Sequence, residues 1–348
     1  MATPLISIAL PVLNGTDFLA EAIESILAQD FTDFELVIAD NASTDGTTEI
    51  ALGYAARDTR VRVERSTALL PQVPNVNRAA DLCRGDWIQF FCHDDVMAPG
   101  CLGRIAAAAA AAPAGVGLIG HGTGMLYNTK CYLPWGERSG ASPLPYRGST
   151  ELPSVWLARP DATRSLNGRG NVRALLLRKG GVGVPSLTNA CVRRTAWTGL
   201  GGFDKRFLHF DVFGWYILLL DWDYVFMSGT YTLTRLHGKQ VAVLARKTLQ
   251  SVRDHEIFWT EYLRGPASEL VTGIQARLFK WSRVASIAAA PVAMELLQGR
   301  WLNAVKISFA LPARLWPLLP AFVLRTYRTE SRRISSLRGH LQMNEIYP

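Results

Sequence analysis

Cysteine is scarce and badly placed for pairing. The 348 residues include five (Cys83, Cys92, Cys101, Cys131, Cys191), an odd number with no C-x-x-C pair. That argues against a disulfide framework and a structural zinc site. No G-x-G-x-x-G follows the first apolar run, where a dinucleotide pyrophosphate would require close backbone approach, so a dinucleotide-dependent oxidoreductase is disfavoured. No recognised nucleic-acid module appears, and no nucleic-acid partner is expected. No basic region precedes the apolar start MATPLISIALPVLNG, which Pro11 and Asn14 interrupt, so it does not read as a secretory signal. A membrane span is also missing: 307–324 is largely apolar but is broken by Pro312, Arg314, Pro317 and Pro320, short of the roughly 20 apolar residues a straight span needs. The default compartment is reducing and cytoplasmic.

What is present is the composition of a folded chain, 49% hydrophobic and 19% charged, with a high mean hydropathy of +0.09. The length allows one large or two modest domains. The net charge of +8 suits nucleic acid, an anionic membrane surface or a phosphorylated substrate, and composition does not choose among them.

The first hundred residues alternate strand and helix signals. ISIALPVL ends at Asn14-Gly15, and Thr16 is placed to cap a helix carrying Phe18, Leu19, Ala22, Ile23, Ile26 and Leu27 at three- and four-residue spacing. FELVIAD, a helix over 50–56, VRVER, a helix around 77–83 and DWIQFF follow. This β-α-β-α-β-α-β order predicts an α/β domain with a mainly parallel, Rossmann-like sheet covered on both faces. Ligands of such sheets lie beyond the carboxyl ends of the strands. The alanine run 106–112 reads as plain helix stopped by Pro113, and 126–183 as a long excursion of loops and short helices. Order returns over 186–240, and the tail beyond about 265 is helical, with Trp, Leu and Arg prominent. Followed by Arg325, Arg328, Arg332, Arg333 and Arg338, that tail either meets an anionic membrane surface or packs on the catalytic domain or a second subunit.

Two strand ends carry candidate chemistry. Asp94 and Asp95 follow DWIQFF; they can hold Mg²⁺ or Mn²⁺ through oxygen ligands shared with phosphate and water, or cap the next helix near Pro99. Asp40 and Asn41 follow FELVIAD and can either read a nucleotide base or form an ordinary turn with Asp45, Gly46 and Thr47. The basic loop from Arg164 to Lys179 can receive a phosphorylated or lipid-diphosphate acceptor, or be a solvated surface.

Taken together, the stretches ISIALPVLNG, AIESILAQDFTDFELVIADNASTDGT, NRAADLCRGDWIQFFCHDDVMAPGCL, GGFDKRF, FDVFGWYILLL and TRLHGKQVA resemble the family 2 glycosyltransferases in order and spacing over about residues 4–245. The resemblance implies the GT-A nucleotide-binding fold over 1–245. Residues 1–125 would form the nucleotide-sugar half and 126–245 the acceptor half, with 246–348 a basic helical region able to associate with a membrane or form a homo-oligomer. It implies a nucleotide-diphospho-sugar donor, a glycan or lipid-linked acceptor, and Mg²⁺ or Mn²⁺. Pro11, Val12 and Asn14 would line the donor, Asp40 and Asn41 would meet the base, and Asn77, His93, Asp94 and Arg235 would complete the nucleotide-sugar contacts. Asp94, Asp95 and His237 would hold the metal. Asp211 would be the general base of an inverting transfer, with Asp221 or Asp223 in reserve. Two positions depart from the family pattern: Cys92 stands where the first acid of Asp-x-Asp-Asp is usual, and Phe210 where a Glu precedes Asp211. These departures leave a second reading open, a non-catalytic nucleotide-sugar-binding or scaffold protein of the same fold.

Overall fold

The computed structural model describes residues 3–127, 130–132, 144–145, 162–235, 249–297, 299–311 and 315–337. Strand β1 (Ile6–Val12), helix α1 (Leu19–Leu27), β2 (Phe34–Asp40), α2 (Thr47–Ala55), β3 (Val61–Arg65), α3 (Gln72–Asp81) and β4 (Trp87–Phe90) realise the expected alternation. Strands β3, β2, β1 and β4 lie side by side and parallel, with Val12 opposite Asp40 and Ala9 opposite Phe90. The first and second strands are apolar at almost every position because both faces of the sheet are covered. Ile6, Ile8, Leu10 and Val12 point into a core with α1 and α4 (Cys101–Ala111), while Ala9, Val37, Ala39, Ile88 and Phe90 point to the opposite face, as the two-residue period of a strand requires.

Beyond β4 the sheet continues through β10 (Ala190–Arg193), antiparallel to both its neighbours, then β6 (Val116–Tyr127), β11 (Asp223–Arg235) and the short β5 (Val96–Met97). Strands β6 and β11 run parallel to each other. Off this path, β7 (Lys130–Tyr132) pairs with the end of β6, β8 (Leu144–Pro145) with β7, and β9 (Thr163–Leu166) with the start of β11. The sheet is thus mostly parallel. Strand β6 runs well beyond its apolar opening VGLIG, because its pairing with β11 extends the ladder to Leu126.

Helices α5 (Gly168–Leu176), α6 (Arg194–Leu200) and α7 (Phe210–Leu218) close over one face. They are joined by α8 (Gln250–Arg264), whose Phe258 stacks on Phe213 at 4.0 Å and whose Trp259 is fully buried. Three further helices, α9 (Gly273–Leu297), α10 (Trp301–Ala310) and α11 (Leu319–Leu337), form a separate apolar cluster around Val284, Ala288, Ala304 and Leu315. Among the described residues no helix is long and apolar enough to cross a membrane.

Some local expectations shift. Thr16 does not cap α1; its hydroxyl donates to Asp45 Oδ2 at 3.0 Å, tying the loop after β1 to the loop after β2. The second helix starts at Thr47 and the third at Gln72, both earlier than apolar spacing suggested, since polar first turns carry no periodic signal.

Candidate functional site

The carboxyl ends of β1, β2, β4 and β11 lie along one rim of the sheet, and the proposed donor residues collect there. The loop after β1 is laced to the loop after β2: Asn14 N donates to Ser43 Oγ (2.9 Å), Thr44 N to Asn14 Oδ1 (3.0 Å) and Gly15 N to Thr47 Oγ1 (2.8 Å). Asn14 adopts the left-handed conformation with φ 50°, which asparagine tolerates better than most residues. Gly15 brings this loop to the acidic one, since a Cβ there would fall 2.6 Å from His93 Cδ2. Asp40 is fully buried and accepts from Ser43 N and Thr48 Oγ1, with Arg65 Nε at 3.3 Å.

Asn41 and Asn77, the two amides expected near the donor, each clasp a backbone segment. Asn41 accepts from Leu70 N (2.9 Å) and donates to Leu70 O (2.8 Å). Asn77 makes the same two-point clasp with Phe203, at 2.9 and 3.0 Å. Both amides pair with a backbone as a neighbouring strand would, so the side chains brace loops.

The acidic loop follows β4. One ligand-capable atom from each of Cys92, Asp94 and Asp95 lies within 4.8 Å of the others. Asp95 is 3% exposed, and its two oxygens are divided between Thr188 Oγ1, which donates to Oδ2, and Arg235 N, which donates to Oδ1 at 3.0 Å. Burial, then the nearby Asp94 carboxylate, push the Asp95 carboxyl well above its ordinary range. Burial raises the Cys92 thiol likewise, with the two acids adding to it. Asp94 is only partly buried and accepts at its carbonyl from Arg235 Nε (2.9 Å). No side chain caps α4, so helix capping is not what the acid pair does.

Arg235 ends β11 beside the acidic loop. It is 8% exposed, pairs with Glu21, sits 4.7 Å above the Phe18 ring, and donates from Nε to the Asp94 carbonyl and from its backbone N to the Asp95 carboxylate. Its guanidinium fastens the acidic loop to α1. His237 lies outside the described residues.

Asp211 stands in the first turn of α7 and is not its cap, which is His209. Its Oδ2 accepts from Leu187 N at 2.9 Å, and burial raises its carboxyl above the usual value. Leu187 adjoins Thr188, the donor to Asp95, and Asp211 is close enough to Cys92 to act on its thiol electrostatically. Phe210, at the usual glutamate position, is buried 5.2 Å from Phe203 in an aromatic core. The reserve base Asp223 begins β11 at the opposite end of the sheet, where it accepts from Asn167 Nδ2 and Gly168 N. Asp221, two residues before that strand, lies on the same side, away from the acidic loop.

Three residues escaped the sequence reading: Thr188, Glu21 and Gly15. Thr188 and Glu21 carried no signal, because their partners lie 93 and 214 positions away. The Asn14-Gly15 turn was visible, but not the histidine ring that fills the space of a Cβ.

The donor set suits a hard cation. Asp94 supplies a partly exposed carboxylate beside a second acid, and a cation would relieve their repulsion. Cys92 adds little for Mg²⁺ or Mn²⁺.

Residues 7–144 match the model of glycosyl transferase family 2. This stretch belongs to that family. An uncharacterized glycosyltransferase of Bacillus subtilis (strain 168), EpsJ, is 34% identical over 103 residues, 29% of this chain and 29% of that protein. A PGL/p-HBAD biosynthesis glycosyltransferase of Mycobacterium bovis (strain BCG / Pasteur 1173P2) is 38% identical over 98 residues, 28% of this chain and 38% of the relative. The chain spans well under two thirds of the curated relatives it matches, from 11% to 38% of their length. Among solved structures, S. aureus TarS 1–349 in complex with UDP-GlcNAc superposes with a TM-score of 0.56 at 17% identity, covering 96% of this chain and 92% of that one. The mannosyltransferase PcManGT of Pyrobaculum calidifontis, in complex with GDP-Man and Mn²⁺, gives 0.55 at 15% identity, covering 98% and 89%. At these identities the likeness is one of fold, and it is the GT-A glycosyltransferase fold expected for the family.

Proposed function

We propose that the chain transfers a sugar from a nucleotide-diphospho-sugar, a UDP- or dTDP-sugar, to a glycan or lipid-linked acceptor in surface polysaccharide or glycolipid synthesis, with inversion at the anomeric carbon. The observation that carries the reading is the meeting of Asp95 and Asp211 through one short segment, Leu187–Thr188, with Asp94 beside Asp95. The UDP-GlcNAc bound to TarS and the GDP-Man and Mn²⁺ bound to the mannosyltransferase support a donor of this class.

Asp94 would hold the cation, with Asp95 as its support and the remaining ligands from water and diphosphate. When bound, the cation offsets negative charge gathering on the leaving diphosphate. Asp211 takes the proton of the acceptor hydroxyl as that oxygen attacks the anomeric carbon. A carboxyl raised by burial is a stronger base than an exposed one, which suits this task near neutral pH. The hydrogen bond from Leu187 N fixes its direction. Pro11 and the backbone of the Asn14–Gly15 turn would form the wall on which the nucleotide rests, whereas the expected contact from Val12 is not available to its side chain, which is 2% exposed and points into the core.

Titration calorimetry with UDP- and dTDP-sugars in Mn²⁺ or Mg²⁺ tests the donor half. Asp94→Ala should leave affinity the same with and without cation; a variant retaining the wild-type cation dependence would sink the metal role. Asp211→Asn should keep donor affinity and lose about 10² to 10⁴ in turnover. Donor binding without turnover in the wild type, across glycan and lipid-linked acceptors, would instead favour the non-catalytic reading that Cys92 and Phe210 raise.

A further inference from the structure

Helix α10 inverts the usual arrangement of a surface helix. Trp301, Leu302, Val305 and Phe309 are 63%, 58%, 44% and 69% exposed. At 100° per residue these four fall within a single arc of about 100°. Ala304, on the other side, is the buried one. The apolar stripe therefore faces outward, where a water-facing helix carries charge. It continues into the following turn: Phe309 meets the half-exposed Trp316 edge to face at 5.4 Å. Between them opens a cavity of about 330 Å³, walled by Val292, Leu319 and Val323 and almost free of polar groups. An exposed apolar area of this kind marks an interaction site.

Among the described side chains, the exposed charges on α10 and the first turns of α11 are basic. Lys306 lies exposed at the edge of the stripe, and Arg325 and Arg328 are exposed on α11, as are Leu324 and Tyr327. Glu295, the acid at the end of α9, is taken by Arg300 at 2.7 Å. Joining this face to the same face of a second copy would set Lys306, Arg325 and Arg328 of each copy among their like. An anionic bilayer surface meets both features at once, with aromatic rings entering the interface and cations meeting the headgroups.

We infer that α10, the turn at Trp316 and α11 form a docking surface for an anionic lipid membrane, with Trp301, Phe309 and Trp316 as the inserted anchors and Lys306, Arg325 and Arg328 as the electrostatic contacts. The surface stands on the C-terminal helices alone and is independent of how the sheet handles a sugar donor; donor affinity measured alongside separates a failure of one from a failure of the other.

The test is co-sedimentation of the full chain with vesicles of phosphatidylcholine alone and with a third phosphatidylglycerol, at low and high salt. Binding should require the anionic lipid and weaken with salt. Lys306→Glu/Arg325→Glu/Arg328→Glu should lower the partition coefficient at least about a hundred-fold, at roughly five-fold for each cation lost from the surface. Trp301→Ser/Phe309→Ser should also release the protein while circular dichroism and the melting temperature stay near wild type, since both side chains face solvent. No sedimentation at any composition, or wild-type binding by both variants, would overturn the inference. So would a dimer in sedimentation velocity that the apolar variant dissolves, because the face would then belong to a second copy.

Discussion

Thr188 shows how one hydroxyl sets the state of the acidic loop. Its hydrogen bond reaches a carboxylate that is almost wholly buried and already raised by burial and by Asp94. Thr188→Val keeps the shape but leaves that buried oxygen short of a donor, a cost of about 1–3 kcal/mol. The expected result is a lower melting temperature together with weaker cation-dependent donor binding, and Thr188→Ser should restore both. Full donor affinity in the valine variant would show that Asp95 does not depend on this contact. Gly15 makes a complementary point: Gly15→Ala drives a methyl into the His93 ring. Donor affinity should fall through displacement of the two loops, with global stability changed by no more than about 1–3 kcal/mol, a split that calorimetry and thermal melting can read separately.

Between elements, polar side chains do the fastening. The loops after β1 and β2 are cross-linked by five hydrogen bonds, one each from Asn14, Gly15 and Thr44 and two from Thr16, and Arg235 ties β11 to α1 and the acidic loop. Asn77 joins α3 to the Gly202–Phe203 turn by its two-point clasp. Asn77→Ala removes two hydrogen bonds worth about 1 kcal/mol each, so unfolding should shift by about 2 kcal/mol in denaturant titration while donor affinity stays within a few-fold. A large loss of donor affinity at unchanged stability would return Asn77 to the nucleotide. Much of this level was legible in the sequence: apolar runs of the right length gave the strands, and strand-end polar residues gave the rim. Which polar residues would be spent as braces was not legible, since an asparagine beside a ligand and one beside a loop read alike.

Over the whole molecule, the aromatic seam between the sheet's covering helices and α8 holds a pH-sensitive group. His255 is 3% exposed, packed against Phe213 and His209, with Nδ1 toward Ser251 O at 2.9 Å. Burial, and secondarily the neighbouring His209, lower it from 6.5 to about 3. It is therefore neutral in the fold across a range where the unfolded chain binds a proton. Stability from this group is complete above pH 6.5 and declines as pH falls toward 3, with a slope approaching 1.4 kcal/mol per pH unit. Denaturant midpoints from pH 7 to pH 4 should fall accordingly, and His255→Phe should flatten the curve; an unchanged slope would show that His255 is not the group responsible.

The sequence by itself determined the alternation of strands and helices, the mostly parallel sheet and the rim at which Asp40, Asp94 and Asp95 lie, because period and composition act locally along the chain. Only the tertiary structure decided which of those acids is buried and braced and which is partly open. It also decided that Phe210 belongs to an aromatic core, and that Asp211 reaches the acidic loop through Leu187 and Thr188. Those outcomes depend on burial and on partners far away in sequence. A carboxylate's surroundings, more than its identity, set whether it holds a cation, takes a proton or anchors a loop.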